Sequence, residues 1–294
     1  MSVYKLNRRH FLSIAAATGL SSFTNVTIVR ANDDTDRSHW ALLSDTHIPQ
    51  DVEEAFRGFK PVNNLNQIVP QISQANVAGT VICGDVARLV GLPGDYQQLK
   101  TCLAPLGDHS LFMALGNHDD RVNFRAAFAD STSGESDADA GGKHVVVVEQ
   151  KPVRFVILDS LFIVNEVAGL LGKAQREWLK TYLAESDDTP TVIFVHHTLG
   201  DNDGDLLDVP RFLDIVDPAK KIKAVFFGHS HVYSFQQRNG LHLINLPAVG
   251  YSFADEQPVG WIEAKFAATG VSLQLHAIAS NTKHDGEVTE LTWR

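Results

Sequence analysis

The stretch Leu111-Phe112-Met113-Ala114-Leu115-Gly116-Asn117-His118-Asp119 runs through five apolar residues and then stops abruptly on four polar or small ones. A short apolar run of this length reads as a buried strand, and the Gly after it as a tight turn. The same sentence structure recurs along the chain. Trp40 to Leu43 precedes Asp45-Thr46-His47, and Thr80 to Cys83 precedes Gly84-Asp85. Val192 to Val195 precedes His196-His197, and Ala224 to Phe227 precedes Gly228-His229-Ser230-His231. Side chains at the ends of adjacent strands converge at one edge of a sheet. Five such stops therefore predict an α/β fold with a polar, donor-rich site at the strand C-terminal ends.

Between the strands the pattern turns helical. Helices are expected between Asn63 and Asn76, kinked or delayed by Pro70, and over Gly94 to Leu103, Val122 to Ala129 and Asp208 to Val216. Lys173 to Glu185 places Trp178, Leu179, Tyr182 and Leu183 on one face of a further helix. His144 to Val148 and Val153 to Leu158 read as a hairpin, and strands recur at Leu241, Trp261 and Val271. Asp130 to Gly142, rich in Ser, Asp, Gly and Ala, reads as a mobile surface loop. The mixture predicts a four-layer α-β-β-α sandwich, two facing mixed sheets with helices outside, rather than one doubly wound sheet. The expected domain spans 38–280, with a C-terminal tail over 281–294.

The 294 residues are 44% hydrophobic and 20% charged, enough for a large core. A formal net charge of −10 argues against sequence-independent binding of nucleic acid, which needs Lys and Arg against phosphates. Of the 2 cysteines, Cys83 ends a strand and Cys102 sits in an expected helix; no disulfide framework is expected, although a single bridge stays open. The N-terminus reads as a leader over residues 1–31. Asn7-Arg8-Arg9-His10-Phe11-Leu12 precedes an Ala-rich run from Ser13 to Leu20, and Val29-Arg30-Ala31 offers an exit site. This resembles a twin-arginine export signal, with Asn7 and Ser13 at positions where other residues are usual. It implies passage through the export machinery, a periplasmic or otherwise extracytoplasmic location, and no stable membrane span, since Ser, Thr and Asn interrupt the apolar run. Its removal would take Lys5, Arg8, Arg9 and Arg30 but no acidic residue, leaving a more acidic chain.

Each polar stop has a plain structural reading. Asp45-x-His47 could be a surface loop, Gly84-Asp85 a turn, and Asn117-His118-Asp119 a lead-in to a helix capped by Asp119 or Asp120. In an extended chain, however, Asp45 and His47 would point the same way, as would His229 and His231. A carboxylate such as Asp85 can bridge two cations, Asn117 can offer a carbonyl oxygen, and His118 can exchange a proton near neutral pH. His196 would be costly to bury without a partner. Mixed oxygen and imidazole donors without thiolates suit two divalent or trivalent transition-metal ions, Mn, Fe or Zn, rather than Ca or a structural Zn site.

Taken in order, Asp-x-His, Gly-Asp, Gly-Asn-His-Asp, His and Gly-His-x-His resemble the calcineurin-like metallophosphoesterase superfamily. A narrower likeness to the class III cyclic-nucleotide phosphodiesterase and glycerophosphodiesterase branch rests on several further residues. These are Gly91, Tyr96 and Leu99, Asn117 through Arg121, Leu158-Asp159-Ser160, and Gly169-Leu170 leading to Gln175, Trp178 and Leu179. The resemblance implies that Asp45, His47 and His231 hold one ion, Asn117, His196 and His229 the other, and that Asp85 bridges them. His197 would stand behind the ligands, and His118 would contact the phosphate or protonate the leaving oxygen. The implied activity is hydrolysis of a phosphodiester or small phosphomonoester by in-line attack of a metal-bridging hydroxide. The sequence departs from the branch at Thr198-Leu199 and over Leu246 to Tyr251, where substrate pockets form, and Arg88 replaces the Tyr expected of purple acid phosphatases. Arg57, Arg88 and Arg121 are candidate phosphate contacts. A non-catalytic metal-binding scaffold on the same fold, or a nuclease, are the alternatives.

Overall fold

The computed structural model describes residues 24–30, 37–128 and 142–294. The twin-arginine stretch and most of the expected 130–142 loop lie outside them. The described strands form two mixed sheets. The first contains β1 (Thr24–Arg30), β5 (Lys143–Glu149), β6 (Arg154–Ile157), β7 (Thr191–Phe194), β8 (Ile222–Phe227), β10 (Leu241–Asn245) and β9 (Ser234–Arg238), in that spatial order. The second runs β13 (Val288–Thr292), β12 (Gly270–Ser280), β11 (Pro258–Ala267), β2 (His39–Leu43), β3 (Gly79–Cys83) and β4 (Ser110–Ala114).

Continuous apolar runs follow from burial on both faces. Trp40 and Leu42 of β2, Val81 and Cys83 of β3, Val192 and Phe194 of β7, and Ala224 and Phe226 of β8 fill the core between the sheets. The alternate residues face outward. Ala41, Leu43 and Ile82 meet α1 (Pro61–Ala75), α2 (Pro93–Leu103) and α3 (Arg121–Phe128), while Ile193, Val195, Val225 and Phe227 meet α4 (Gly172–Glu185) and α5 (Val209–Val216). Helices therefore cover the outer face of each sheet, giving the expected α-β-β-α sandwich. Aromatic rings lock the middle layer, with Trp40 against Phe155 at 4.9 Å and Phe155 against Phe194 at 5.3 Å, both edge to face.

Two local expectations change. Helix α1 starts at Pro61, whose lacking N–H costs nothing at a first turn, and continues through Pro70 to a left-handed cap at Asn76. The segment expected to be a tail carries β13, antiparallel to β12; Trp293 packs on the central core and Arg294 donates to the carbonyls of Val216, Ala219 and Ile222. An exposed five-residue edge strand gives little apolar signal, which is why the sequence pattern hid it. Both cysteines are buried free thiols. No helix among the described residues is long and apolar enough to cross a membrane.

Candidate metal centre

The turns leaving β2, β3, β4, β7 and β8 meet at one edge of the sandwich. The turns after β2 and β3 run side by side: Asp45 N donates to Gly84 O at 3.1 Å, His47 N to Asp85 O at 2.9 Å and Ile48 N to Val86 O at 3.0 Å. In the facing sheet, Gly228 N donates to His196 O at 2.9 Å, joining the turns after the neighbouring strands β7 and β8. Asp45, His47, Asp85, His229 and His231 all adopt left-handed backbone, with φ of 53, 47, 47, 73 and 53°. The expectation that Asp45 and His47, and likewise His229 and His231, are extended neighbours is thereby corrected. Each left-handed turn instead swings its side chain inward. Non-Gly residues there cost about 1–2 kcal/mol each, strain that the surrounding bonds must hold.

Donor atoms of Asp45, His47 and His231 cluster within reach of one ion, and those of Asp85, His196 and His229 within reach of another. Asp45 Oδ1 lies 3.3 Å from His231 Nε2, and Asp85 Oδ2 lies 3.3 Å from His196 Nε2 and 3.8 Å from His47 Nε2. Asp85 Oδ2 therefore faces both groups, while Oδ1 accepts the His118 backbone N–H at 2.8 Å. Carbonyls orient the rings. His196 Nδ1 donates to Cys83 O (2.8 Å), His231 Nδ1 to Tyr251 O (2.7 Å) and His229 Nε2 to Gly204 O (2.9 Å); His196 Nε2 is left without a hydrogen-bond partner, and His231 Nε2 meets His47 Nε2 at 3.1 Å. Asn117 Oδ1 is buried without a hydrogen-bond partner, and so is His47 Nδ1. A buried amide oxygen with no donor is expensive, and a cation answers it. The donor set thus fits metal ions, and every residue expected to be a ligand stands at this edge.

Glycines make the approach possible. A Cβ on Gly116 would fall 2.1 Å from Asp85 Oδ1, and one on Gly228 would fall 2.4 Å from Asp45 Oδ2. Charge is strongly coupled here. Although burial opposes it, His231 and His196 hold the Asp45 carboxyl below its ordinary range, and His196 does the same for Asp85. In return, against the pull of burial, the two carboxylates raise His196 to about 9. Burial pushes His47 down to about 3 and, helped by His196, His229 to about 4. Two carboxylates beside the neutral imidazoles of His47 and His229 form a cation-binding field.

Residues 39–233 match the family model described as "Calcineurin-like phosphoesterase". This chain belongs to the calcineurin-like phosphoesterases. Among its relatives is a "Probable cyclic nucleotide phosphodiesterase" of Synechococcus sp., 26% identical over 254 residues, covering 83% of this chain and 94% of that protein. Another is the glycerophosphodiester phosphodiesterase GpdQ of Enterobacter lignolyticus, 26% identical over 231 residues, 74% of this chain and 81% of that one. The fold is shared with a dimetal phosphatase from Danio rerio, at a TM-score of 0.66 and 15% identity, covering 88% of this chain and 99% of that one.

The rest of the phosphoesterase site explains itself by contact. His118 Nδ1 donates to Leu89 O at 2.8 Å, and its Nε2 lies 3.9 Å from Asp85 Oδ2 on the open side. His197 accepts or donates at Ser160 Oγ (2.7 Å), packs under Gly169 and backs the His229 ring at 4.6 Å, outside either donor group. Asp120, not Asp119, caps α3 by accepting the Asn123 N–H at 2.8 Å. Asp119 is wholly buried and accepts from Gly116 N at 2.9 Å and Ala87 N at 3.1 Å, clamping the β3 and β4 turns together. Burial and the Asp85 charge push its pKa up to about 7. That clamp, and Ser44 Oγ donating to Asp45 Oδ2 at 2.5 Å, were not legible because their meaning depends on which loops become neighbours.

All three arginines offered as phosphate contacts are tied to protein groups. Arg121 binds Asp159 through Nε (2.6 Å) and Nη2 (2.9 Å), Arg88 binds Glu54 at 2.7 Å, and Arg57 donates to the carbonyls of Ser252 and Phe253.

Proposed function

We propose that this chain hydrolyses a phosphodiester or small phosphomonoester at a two-metal centre. The observation that carries the reading is the placement of Asp85 Oδ2 between the Asp45–His47–His231 and His196–His229 groups, with the unpartnered Asn117 Oδ1 beside them. Asp45, His47 and His231 would hold one ion, Asn117, His196 and His229 the other, and Asp85 would serve both. Mn, Fe or Zn would suit these oxygen and imidazole donors, supplying an activated water and positive charge against the phosphate oxygens. The chain's own residues do the rest. Since Leu89 O takes the Nδ1 proton, His118 can carry a second proton only on Nε2, at the open side, and deliver it to the leaving oxygen. Asp119 and the three carbonyls that hold His196, His229 and His231 keep the donors in place before substrate arrives. The relatives' names favour phosphodiesters, and the acidic surface favours small substrates over nucleic acid. Hydrolysis of bis-p-nitrophenyl phosphate by protein loaded in turn with Mn, Zn, Fe and Co tests the reading. No turnover with any of them would refute it.

We further propose that the chain is exported through its Arg8-Arg9 leader. A cut directly after Ala31 would remove β1, whose backbone pairs in parallel with β5 from Thr24–Lys143 to Arg30–Glu149. It would expose the edge of a strand made of Val145 to Val148, an aggregation hazard. Sequencing the N-terminus of protein recovered from the periplasm checks both export and cut site; recovery only from the cytoplasm would contradict export.

A further inference from the structure

Resting on the phosphoesterase reading, we infer that Phe253 is a stacking platform selecting substrates with a flat aromatic or heteroaromatic ester group, such as a nucleoside, beyond the first ion. A half-exposed ring sits directly against a donor of the centre. Phe253 is 49% exposed, and its ring lies 4.5 Å from that of His231, tilted by 31°. The same ring is 5.5 Å from Tyr251, which is itself stacked on His47 at 4.7 Å. The Asp45–His47–His231 side of the centre thus ends in an aromatic wall, and Phe253 is its outermost and most exposed member.

The platform is held rigid. Arg57 grips the turn by donating to Ser252 O at 3.2 Å and Phe253 O at 2.9 Å, and its guanidinium lies 5.5 Å from the Phe253 ring. Behind the ring, Tyr251 O is tied to His231 Nδ1 at 2.7 Å, so the wall and the donor move as one. The opposite rim differs. Asn165 N anchors it to Asn117 O at 2.7 Å, and it presents Phe162 and Ile163 on a turn that has no ring contact with the donors. An exposed phenyl beside a phosphate site gains by covering a flat π-surface, and a glycerol arm offers no such surface. The wall belongs to the Leu246–Tyr251 stretch and its continuation, where this sequence leaves the pattern of its branch.

The experiment compares kcat/KM for 3′,5′-cyclic AMP with that for glycerophosphoethanolamine in wild type, Phe253→Ala and Phe253→Trp, with metal content measured in each. Intrinsic reactivity cancels in the change of this ratio between proteins. The nucleotide-to-glycerol ratio is expected to fall about tenfold in Phe253→Ala, mainly through KM, and to return to within about threefold in Phe253→Trp. A Phe253→Ala ratio within about twofold of wild type, at equal metal content, would overturn the inference. So would a wild type that cleaves glycerophosphoethanolamine but no nucleotide, which would leave the phosphoesterase reading standing. A wild type inert also toward bis-p-nitrophenyl phosphate would remove both.

Discussion

The turn Ser44–His47 and the turn Ser252–Gln257 border the same edge of the sandwich, yet they are built differently. In the first, every residue is buried, Asp45 and His47 are held in left-handed backbone, and cross-loop bonds tie Asp45 N to Gly84 O and His47 N to Asp85 O. In the second, Phe253 through Glu256 are exposed, and the turn is fastened at its start by Arg57 and at its end by Asn281, whose Nδ2 donates to Glu256 O at 2.7 Å. The difference teaches that the chemistry rests on strained, over-determined backbone, whereas selectivity is left to a surface loop that tolerates change.

Breaking the buried half should cost most. Asp85→Asn removes the charge that faces both donor groups; metal analysis should show loss of bound ion, and turnover should fall by about a thousandfold or more, several kcal/mol of electrostatic stabilisation. His118→Gln should keep the metal and lower kcat by about a hundredfold or more, because proton delivery is lost while the donors stay. Retained turnover would remove His118 from its assigned role. Gly116→Ala forces a methyl onto Asp85 Oδ1, so weaker metal binding and a stability loss of about 1–3 kcal/mol are expected by denaturant titration. Arg121→Met should sharpen the contrast from the other side. It leaves the buried Asp159 with only Lys143 nearby and the amide donors of His144 and Leu161, costing about 3 kcal/mol of stability, yet turnover per folded molecule should hardly change. A large fall in kcat with intact metal would return Arg121 to the phosphate contacts from which its pairing excludes it.

Much of the buried half was legible because it is local. An apolar run ending on Gly-Asp or Gly-Asn-His announces a strand and its terminal donor without knowledge of neighbours. Trp178, Leu179, Tyr182 and Leu183 likewise marked α4 by spacing alone, and two of them are buried under the first sheet. Strand β13 was not legible, since an exposed edge strand has no apolar alternation strong enough to separate it from a tail. Nor were the fates of Arg57, Arg88 and Arg121, because an arginine reads the same whether it meets phosphate, Asp159 or Glu54.

By itself, then, the sequence determined the layers of the fold, the strand ends that carry donors, and which residues gather there: Asp45, His47, Asp85, Asn117, His118, His196, His229 and His231. Periodicity and donor chemistry are properties of short segments. Only the tertiary structure decided that five of these residues would turn left-handed, that Asp119 would clamp two turns instead of capping a helix, and that Phe253 would lean on His231. Those outcomes depend on which loops are brought side by side, and the packing of one sheet on the other sets that across separations such as the 184 residues between Asp45 and His229.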